Sequence, residues 1–229
     1  METWLTGSAS PELTARLAAA RLYVITMASH SPDRVVAVVE AACAGGAQVV
    51  QLRRKDDDAL ETLRLAERCR AVTASAGVLF VINDRLDVAM AVEADGVHLG
   101  QADLPVAAAR RLWPGRIVGR STHSLAQAVA ASGEGADYLG VGPVYATPTK
   151  PGRAAVGLSY VRSAASEVRV PWFAIGGIDA SNVAAVVAAG ARRVAVVRAV
   201  SDAVDVSAAA RVLLDAVACV EASGVEVVA

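Results

Sequence analysis

Eight times along this chain a short run of apolar, largely β-branched residues gives way to a helix-length segment. This alternation restricts the fold more than any other feature. The runs are Leu22 to Thr26, Val49 to Leu52, Val78 to Ile82, Gly96 to Leu99, Ile117 to Gly119, Tyr138 to Val141, Trp172 to Ile175 and Val194 to Val197. Each has the length and residue types of a strand. Helical patterns follow them: Pro32 to Ala44, Ala59 to Ala74, Leu86 to Glu93, Pro105 to Leu112, Ser124 to Ala131, Leu158 to Ser166, Ser181 to Ala189 and Ser207 to Val220. Ser10-Pro11-Glu12 opens one more helix, over 10–20, with proline in the first turn where its missing N–H is tolerated. Strict alternation of this kind predicts an α/β fold, the (β/α)8 TIM barrel, with an extra N-terminal helix. An open doubly wound sheet would carry Gly-x-Gly-x-x-Gly after its first strand, and this chain does not. No linker or compositional break divides residues 1–229, which read as a single barrel domain. One long loop, Gly142 to Gly157, follows the sixth strand; its length suits a functional lid or a disordered insertion.

Composition narrows the function classes. A net charge of −1 lacks the basic excess of a general nucleic-acid or membrane-surface binder. Mean hydropathy is high at +0.44, yet charges interrupt every apolar stretch before it reaches a membrane-spanning length. The opening segment has early acidic residues and no compact apolar core, so no signal peptide is expected and the expected location is the cytoplasm. Cys43, Cys69 and Cys219 are odd in number and fall in helical patterns, which predicts buried reduced thiols. The composition leaves room for a homo-oligomer. Of 22 basic residues only Lys55 and Lys150 are lysines, and both fall just past strand ends, where a compact ammonium suits phosphate.

In a barrel the functional groups collect at the carboxyl ends of the strands. Ile82 to Asp103 is the richest stretch: one run ends in Asn83-Asp84-Arg85, and the next, containing His98, ends in Gly100-Gln101-Ala102-Asp103. Parallel neighbours lie roughly 5 Å apart, so Asp84 and Asp103 would face one hard cation with Asn83, His98 and Gln101 around it. The other ends add Gln51, Arg53 and Lys55, then Ser121, Thr122 and His123, then Tyr145, Thr147, Thr149 and Lys150. Gly176-Gly177 follows strand seven and Arg198 follows strand eight. Two anion sites emerge. Arg53, Lys55, Ser121 and Lys150 beside a magnesium on Asp84 and Asp103 suit a diphosphate. Gly176-Gly177 and the turn after strand eight suit a second phosphate. Together they point to group transfer with diphosphate leaving.

Each residue also has a plainer reading. Asp84 and Asp103 each precede a helix and could be N-caps, and Asp84-Arg85 could be a surface pair. His98 could be a satisfied core histidine, and His30 a solvated loop residue. Gly176-Gly177 could be a tight turn, Arg53-Arg54-Lys55 a solvated charge run, and Arg198 could turn outward to solvent or Asp202.

The ordered set Gln51-Leu-Arg53-Arg-Lys55, Ile82-Asn83-Asp84-Arg85, Gly96-Val-His98-Leu-Gly-Gln101-Ala-Asp103, Ser121-Thr122-His123-Ser124, Gly142-Pro143-Val-Tyr145-Ala-Thr147-Pro-Thr149-Lys150 and Ile175-Gly176-Gly177-Ile178 closely resembles the thiamine phosphate synthase family. The resemblance covers nearly the whole chain. It implies a (β/α)8 barrel enzyme that condenses hydroxymethylpyrimidine diphosphate with thiazole phosphate to give thiamine phosphate and diphosphate. It further implies Mg2+ on Asp84 and Asp103, with the diphosphate held by Arg53, Lys55, Asn83, Ser121 and Lys150. Arg53, Ser121 and Lys150 would be the catalytic groups. Gln51 and His98 would line the pyrimidine pocket; Thr147, Thr149 and Gly177 would face the thiazole phosphate, with Gly176 beside them. The implied mechanism is dissociative and needs no protein nucleophile. One position departs from the family, which commonly has a small hydroxyl residue where this chain has Arg198. The alternative reading is a thiazole tautomerase-like isomerase on the same scaffold, with His123 as acid–base; a non-catalytic sensor of phosphorylated ligands is a third.

Overall fold

The computed structural model describes residues 8–55, 57–148 and 154–222. Eight parallel strands close in sequence order, each pairing with the next and β8 with β1. Helix α1 (Pro11–Ala19) leads, capped by the Ser10 side chain. There follow β1 (Leu22–Ile25), α2 (Pro32–Ala44), β2 (Val49–Leu52), α3 (Ala59–Ser75), β3 (Leu79–Asn83) and α4 (Leu86–Ala91). Then come β4 (Gly96–Leu99), α5 (Val106–Leu112), β5 (Ile117–Thr122), α6 (Leu125–Gly133), β6 (Tyr138–Val141) and α7 (Gly157–Glu167). The chain continues through β7 (Trp172–Ile175), α8 (Val183–Ala188), β8 (Val194–Val196), α9 (Arg198–Ser201) and α10 (Val206–Ala222). The expected (β/α)8 barrel with a preceding helix is therefore present.

Two differences from expectation carry information. The four-residue helix α9 is too short to show a helical period, so nothing in the pattern announces it. Strand β5 runs to Thr122 and not to Gly119, because the polar residues Arg120 and Ser121 continue the ladder against β6.

Side chains alternate across each strand. One set enters the barrel: Tyr23 and Ile25, Val49, Leu79 and Val81, Ile117, Tyr138, Phe173 and Ala195 form the inner core. The other set packs outward on the helices, for example Val24, Phe80, Val97, Leu139, Ala174 and Val194. Helix α1 lies against the inner core through Leu13 and Leu17, both buried. It thereby caps the amino-terminal end of the barrel, where Arg193 also donates to the carbonyl of Ala18.

The amino-terminal face repeats one device. The residue before β2, Gln48, accepts from the amide of Leu22 in β1 (3.1 Å). Asp95, before β4, accepts from Phe80 in β3 (2.8 Å), and Asp137, before β6, accepts from Val118 in β5 (2.7 Å). Arg70 pairs with Asp95 at 2.9 Å, and Arg110 pairs with Asp137. These carboxylates are spent on closing strand pairs, which leaves function to the opposite face.

Gly119 shows how closely the interior is packed. A Cβ there would fall 2.1 Å from Cζ of Tyr138, so the missing side chain makes the space that this ring fills. Gly119→Ala should destabilise the fold by at least about 1–3 kcal/mol, lowering the thermal midpoint by roughly 2–4 °C per kcal/mol. Gly133→Ala, at the end of α6 with nothing within 4 Å of a new Cβ, should instead leave stability level or raise it by about 0.5–1 kcal/mol. Parallel thermal melts of the two variants check the contrast.

Candidate active site

A cavity of about 360 Å³ opens at the carboxyl ends of the strands, a size suited to a small phosphorylated molecule. Gln51, Arg53, Asn83, His98 and Ser121 bring polar groups from β2 to β5 into its wall. Gly176 and Gly177 after β7, with Val197, Arg198 and Ala199 at the start of α9, form the other side. Thr147 and His123 complete the rim, and Gly140 contributes no side chain between the two halves.

The first wall is held rigidly. The amide of Arg53 donates to Oγ1 of buried Thr26 (3.1 Å), fixing the exit from β2. Arg54 is not the solvated residue its neighbours suggested: its Nε donates to Asp57 (2.5 Å) and its Nη1 to the carbonyl of His30 (2.6 Å). Asn83 and His98 are register partners on β3 and β4. Nδ2 of Asn83 is buried and has no hydrogen-bond partner among the described residues. A buried donor of that kind at a cavity wall is a natural contact for an anionic oxygen. His98 is both a satisfied buried histidine and a cavity residue: Nδ1 meets the Tyr138 hydroxyl (2.9 Å) and Nε2 meets Oγ of Ser121 (2.8 Å).

Neither acidic candidate is a helix cap. Helix α4 is preceded by Arg85 and α5 by Pro105, and neither makes a side-chain cap bond. Arg85 pairs with Asp87 (2.5 Å). Asp84 adopts φ +61, a left-handed backbone uncommon outside glycine, with its amide held by the carbonyl of His98 (2.8 Å). Such conformations gather at functional sites. Lys55 lies beside it, Nζ to Oδ2 3.7 Å. Asp103 Oδ2 accepts from the amide of Gly100 (2.6 Å), folding the loop after β4 back on itself. Arg120 braces that loop from below, donating to the carbonyls of Leu104 (2.9 Å) and Gln101 (3.5 Å), while Gln101 donates to the carbonyl of Ser121 (2.6 Å). Among the described residues no three His, Cys, Asp or Glu gather as a metal cluster. Two hard carboxylates on neighbouring strand ends still match the ligand count of a magnesium that takes its remaining oxygens from phosphate and water.

The second wall depends on glycine. Gly176 and Gly177 have φ +100 and +66, and a Cβ on either would strike Pro143 or Tyr145 at 2.4 and 2.7 Å. The loop after β6 packs directly on this turn: the amides of Val144 and Tyr145 donate to the carbonyls of Ile175 (2.8 Å) and Gly176 (2.9 Å). Asn182 clamps the turn from beyond, donating to Gly177 (2.8 Å) and accepting from the amide of Asp179 (3.0 Å). Arg198 is exposed and lines the cavity. Asp202, its expected alternative partner, binds His30 (3.0 Å), so His30 is tethered and not a solvated loop residue.

Other expectations change. Thr122 points outward from the barrel, donating to the carbonyl of Gly140 (2.9 Å) and meeting the Tyr160 hydroxyl (2.7 Å), so it does not reach the site. Of the three cysteines only Cys69 is fully buried; Cys43 is half-buried and Cys219 exposed. Burial pushes the Cys69 thiol up to about 12 and the Cys43 thiol up to about 11, as expected of inert structural thiols. Lys55, Asp84, Asp103 and Gln101 stand outside the cavity lining. Thr149 and Lys150 lie outside the described residues. Sequence reasoning missed Tyr23 and Tyr138, whose hydroxyls lie within the inner core beneath the site. The one available signal was a phenol inside an otherwise apolar strand.

The architecture and the position of this cavity define the class: a TIM-barrel protein with a cavity of small-molecule size on the face where such barrels carry their chemistry. Within it, the chain belongs to the thiamine monophosphate synthase family, whose model matches residues 22–200. A thiamine-phosphate synthase of Gloeobacter violaceus is 54% identical over 206 residues, covering 90% of this chain but 59% of that protein. One of Thermus thermophilus is 53% identical over 196 residues, covering 84% of this chain and 95% of that protein. The solved thiamine phosphate pyrophosphorylase of Pyrococcus furiosus superposes with TM-score 0.81 at 37% identity, covering 91% of this chain and 98% of that one. Among the described residues no helix is long and apolar enough to cross a membrane.

Asp179, on the cavity rim, supplies a local test. Hydrogen bonds from the Ser181 hydroxyl (2.5 Å) and amide hold its carboxyl below the usual value of 3.8. A depressed carboxyl stabilises the fold above its unfolded pKa, and that contribution is lost as pH falls through the folded value. Ser181→Ala should raise the Asp179 midpoint toward 3.8, read by carboxyl-carbon NMR titration. It should also bring forward the acid loss of the turn. An unchanged midpoint would show that the hydroxyl does not set it.

Proposed function

We propose that this protein is a transferase that condenses hydroxymethylpyrimidine diphosphate with thiazole phosphate, giving thiamine phosphate and releasing diphosphate. The observation that carries the reading is the two-sided cavity. Donors on β2 to β5 face a glycine turn and Arg198 across a space of about 360 Å³. Two anionic groups on two ligands fit that arrangement better than one. Family membership and the names of the relatives support the same reaction.

The chain's own residues would divide the work. Gln51 and His98 orient the pyrimidine, and Arg53, Lys55, Asn83, Ser121 and Lys150 grip the diphosphate. Asp84 and Asp103 would hold Mg2+, which when bound neutralises charge gathering on the leaving group. The bond between the pyrimidine methylene carbon and the diphosphate oxygen breaks, its electron pair leaving with oxygen. The aminopyrimidine ring shares the positive charge left on carbon. The lone pair of the thiazole nitrogen then forms the new C–N bond. Gly176, Gly177, Thr147, Thr149 and Arg198 hold the thiazole phosphate so that this nitrogen arrives in line. Walls that exclude water protect the cation from hydrolysis.

The direct test is to supply both phosphorylated substrates with magnesium and assay thiamine phosphate and diphosphate; no product would overturn the reading. The isomerase alternative has the place of His123 on the cavity rim in its favour. It would show instead as conversion of a thiazole phosphate alone.

Substitutions at three positions check the division of labour. Asp84→Asn and Asp103→Asn should each cut turnover by about 10²-fold or more, the scale of losing one charge-stabilising contact at a leaving group. Full turnover after chelation would overturn the metal role. Arg198→Ala should raise KM for thiazole phosphate about 10-fold or more, for a lost charged hydrogen bond of roughly 1.5–3 kcal/mol. KM for the pyrimidine diphosphate should stay unchanged, and Arg198→Ser should recover part of the loss. Equal KM values for wild type and Arg198→Ala would show that the side chain turns away from the phosphate.

A further inference from the structure

A file of hydrogen bonds crosses the barrel interior beneath the cavity. Nε2 of Gln51 donates to the Tyr23 hydroxyl (2.6 Å), and Tyr23 meets the Tyr138 hydroxyl at 2.9 Å. Tyr138 meets Nδ1 of His98 at 2.9 Å, and Nε2 of His98 meets Oγ of Ser121 at 2.8 Å. The file thus joins β2, β1, β6, β4 and β5 in a line, with both ends, Gln51 and Ser121, in the cavity wall.

Its first link sets the direction of every later one. An amide nitrogen can only donate, and each hydroxyl has a single proton. Tyr23 receives the Gln51 N–H, so its own proton goes to its other partner, Tyr138. Tyr138 then accepts from Tyr23 and donates to Nδ1 of His98. An Nδ1 that accepts carries no proton, so the imidazole N–H sits on Nε2 and donates to Oγ of Ser121. The Ser121 proton is left to point at the cavity.

The surroundings keep the file in place. Tyr23, Tyr138 and Phe173 pack edge to face, with ring centres 5.2 to 5.8 Å apart, and Gly119 leaves the space for Tyr138. Burial holds both phenols well above their usual acidity range, so both keep their protons. Gln51, Tyr23 and Tyr138 are almost fully buried and His98 is 9% exposed, so the inner links of the file have little access to water as an alternative partner.

We infer that Tyr138 is a positioning residue: it holds His98 as the Nε2–H tautomer and thereby turns the Ser121 hydroxyl into a donor aimed at the anion in the cavity. What that donor serves, a departing diphosphate, rests on the function proposed above; the tautomer and its cause do not. Tyr23 and Gln51 act one step further back, by denying Tyr138 any other acceptor.

The test uses protein labelled with 15N histidine and long-range 1H–15N correlation, which reports the protonated nitrogen of each ring. With three histidines in the chain, the His98 signals are assigned by their loss in His98→Gln. Wild type should show His98 protonated on Nε2 alone. Tyr138→Phe keeps the ring beside Gly119 and removes only the hydroxyl; its His98 should divide between the two tautomers. A wild-type proton on Nδ1, or an unchanged tautomer in Tyr138→Phe, would overturn the inference whether or not the protein makes thiamine phosphate. In turnover, Tyr138→Phe should lower kcat about 10-fold with KM for thiazole phosphate unchanged. Adding Ser121→Ala to it should cost much less than Ser121→Ala costs alone, since the donor is already misdirected. Fully additive losses would sever Tyr138 from Ser121 even with the tautomer as expected.

Discussion

A barrel of eight short strands closes only if every inward side chain can share one narrow interior, and the other features of this protein follow from that condition. The strands are three to six residues long, so none sends more than two side chains into the inner apolar core. Three aromatic rings, Tyr23, Tyr138 and Phe173, meet edge to face across it. Glycine at 119 is then obligatory, because no other residue leaves the space for Tyr138. The polar ends of the two tyrosines must find partners in a place without water. They find them in Gln51 and His98, and so the packing core and the binding site become one hydrogen-bonded object.

Charge is distributed according to the two faces of the barrel. At the amino-terminal face, Asp95 and Asp137 accept from backbone amides and pair with arginines. At the carboxyl-terminal face the same residue type is spent differently. Asp84 sits in a left-handed backbone beside Lys55, and Asp103 folds a loop by accepting from Gly100. The first pair of carboxylates is committed to structure. The second is set just past the strand ends of β3 and β4, on the face that carries the cavity.

Much of this was legible in the sequence because strand ends announce themselves. A change from β-branched residues to Asn83-Asp84 or to Gly176-Gly177 marks both the end of a strand and a place on the functional face, and these residues fall there. Thr122 was misplaced because the side of a strand on which a residue projects depends on register, and β5 proved three residues longer than its apolar run. The His30–Asp202 contact joins residues far apart in the chain, and no local pattern encodes such a pair. Tyr23 and Tyr138 escaped notice for a subtler reason. Inside an apolar run a tyrosine counts as another large hydrophobe, and only the closed barrel shows that the two hydroxyls meet.

The repeated device at the amino-terminal face bears on how the barrel is assembled in time. Gln48 to Leu22, Asp95 to Phe80 and Asp137 to Val118 each fasten one strand to its immediate predecessor across a short stretch of chain. Closing short loops costs little entropy, so three strand pairs can form as local units. Joining β8 to β1 is another matter, since it brings together opposite ends of the molecule through a strand of only three residues. That seam has the longest loop to close and only three register pairs to reward it. The barrel is therefore best viewed as three latched pairs and a final clasp, and the clasp lies beside Arg198 and α9, where the second wall of the cavity begins.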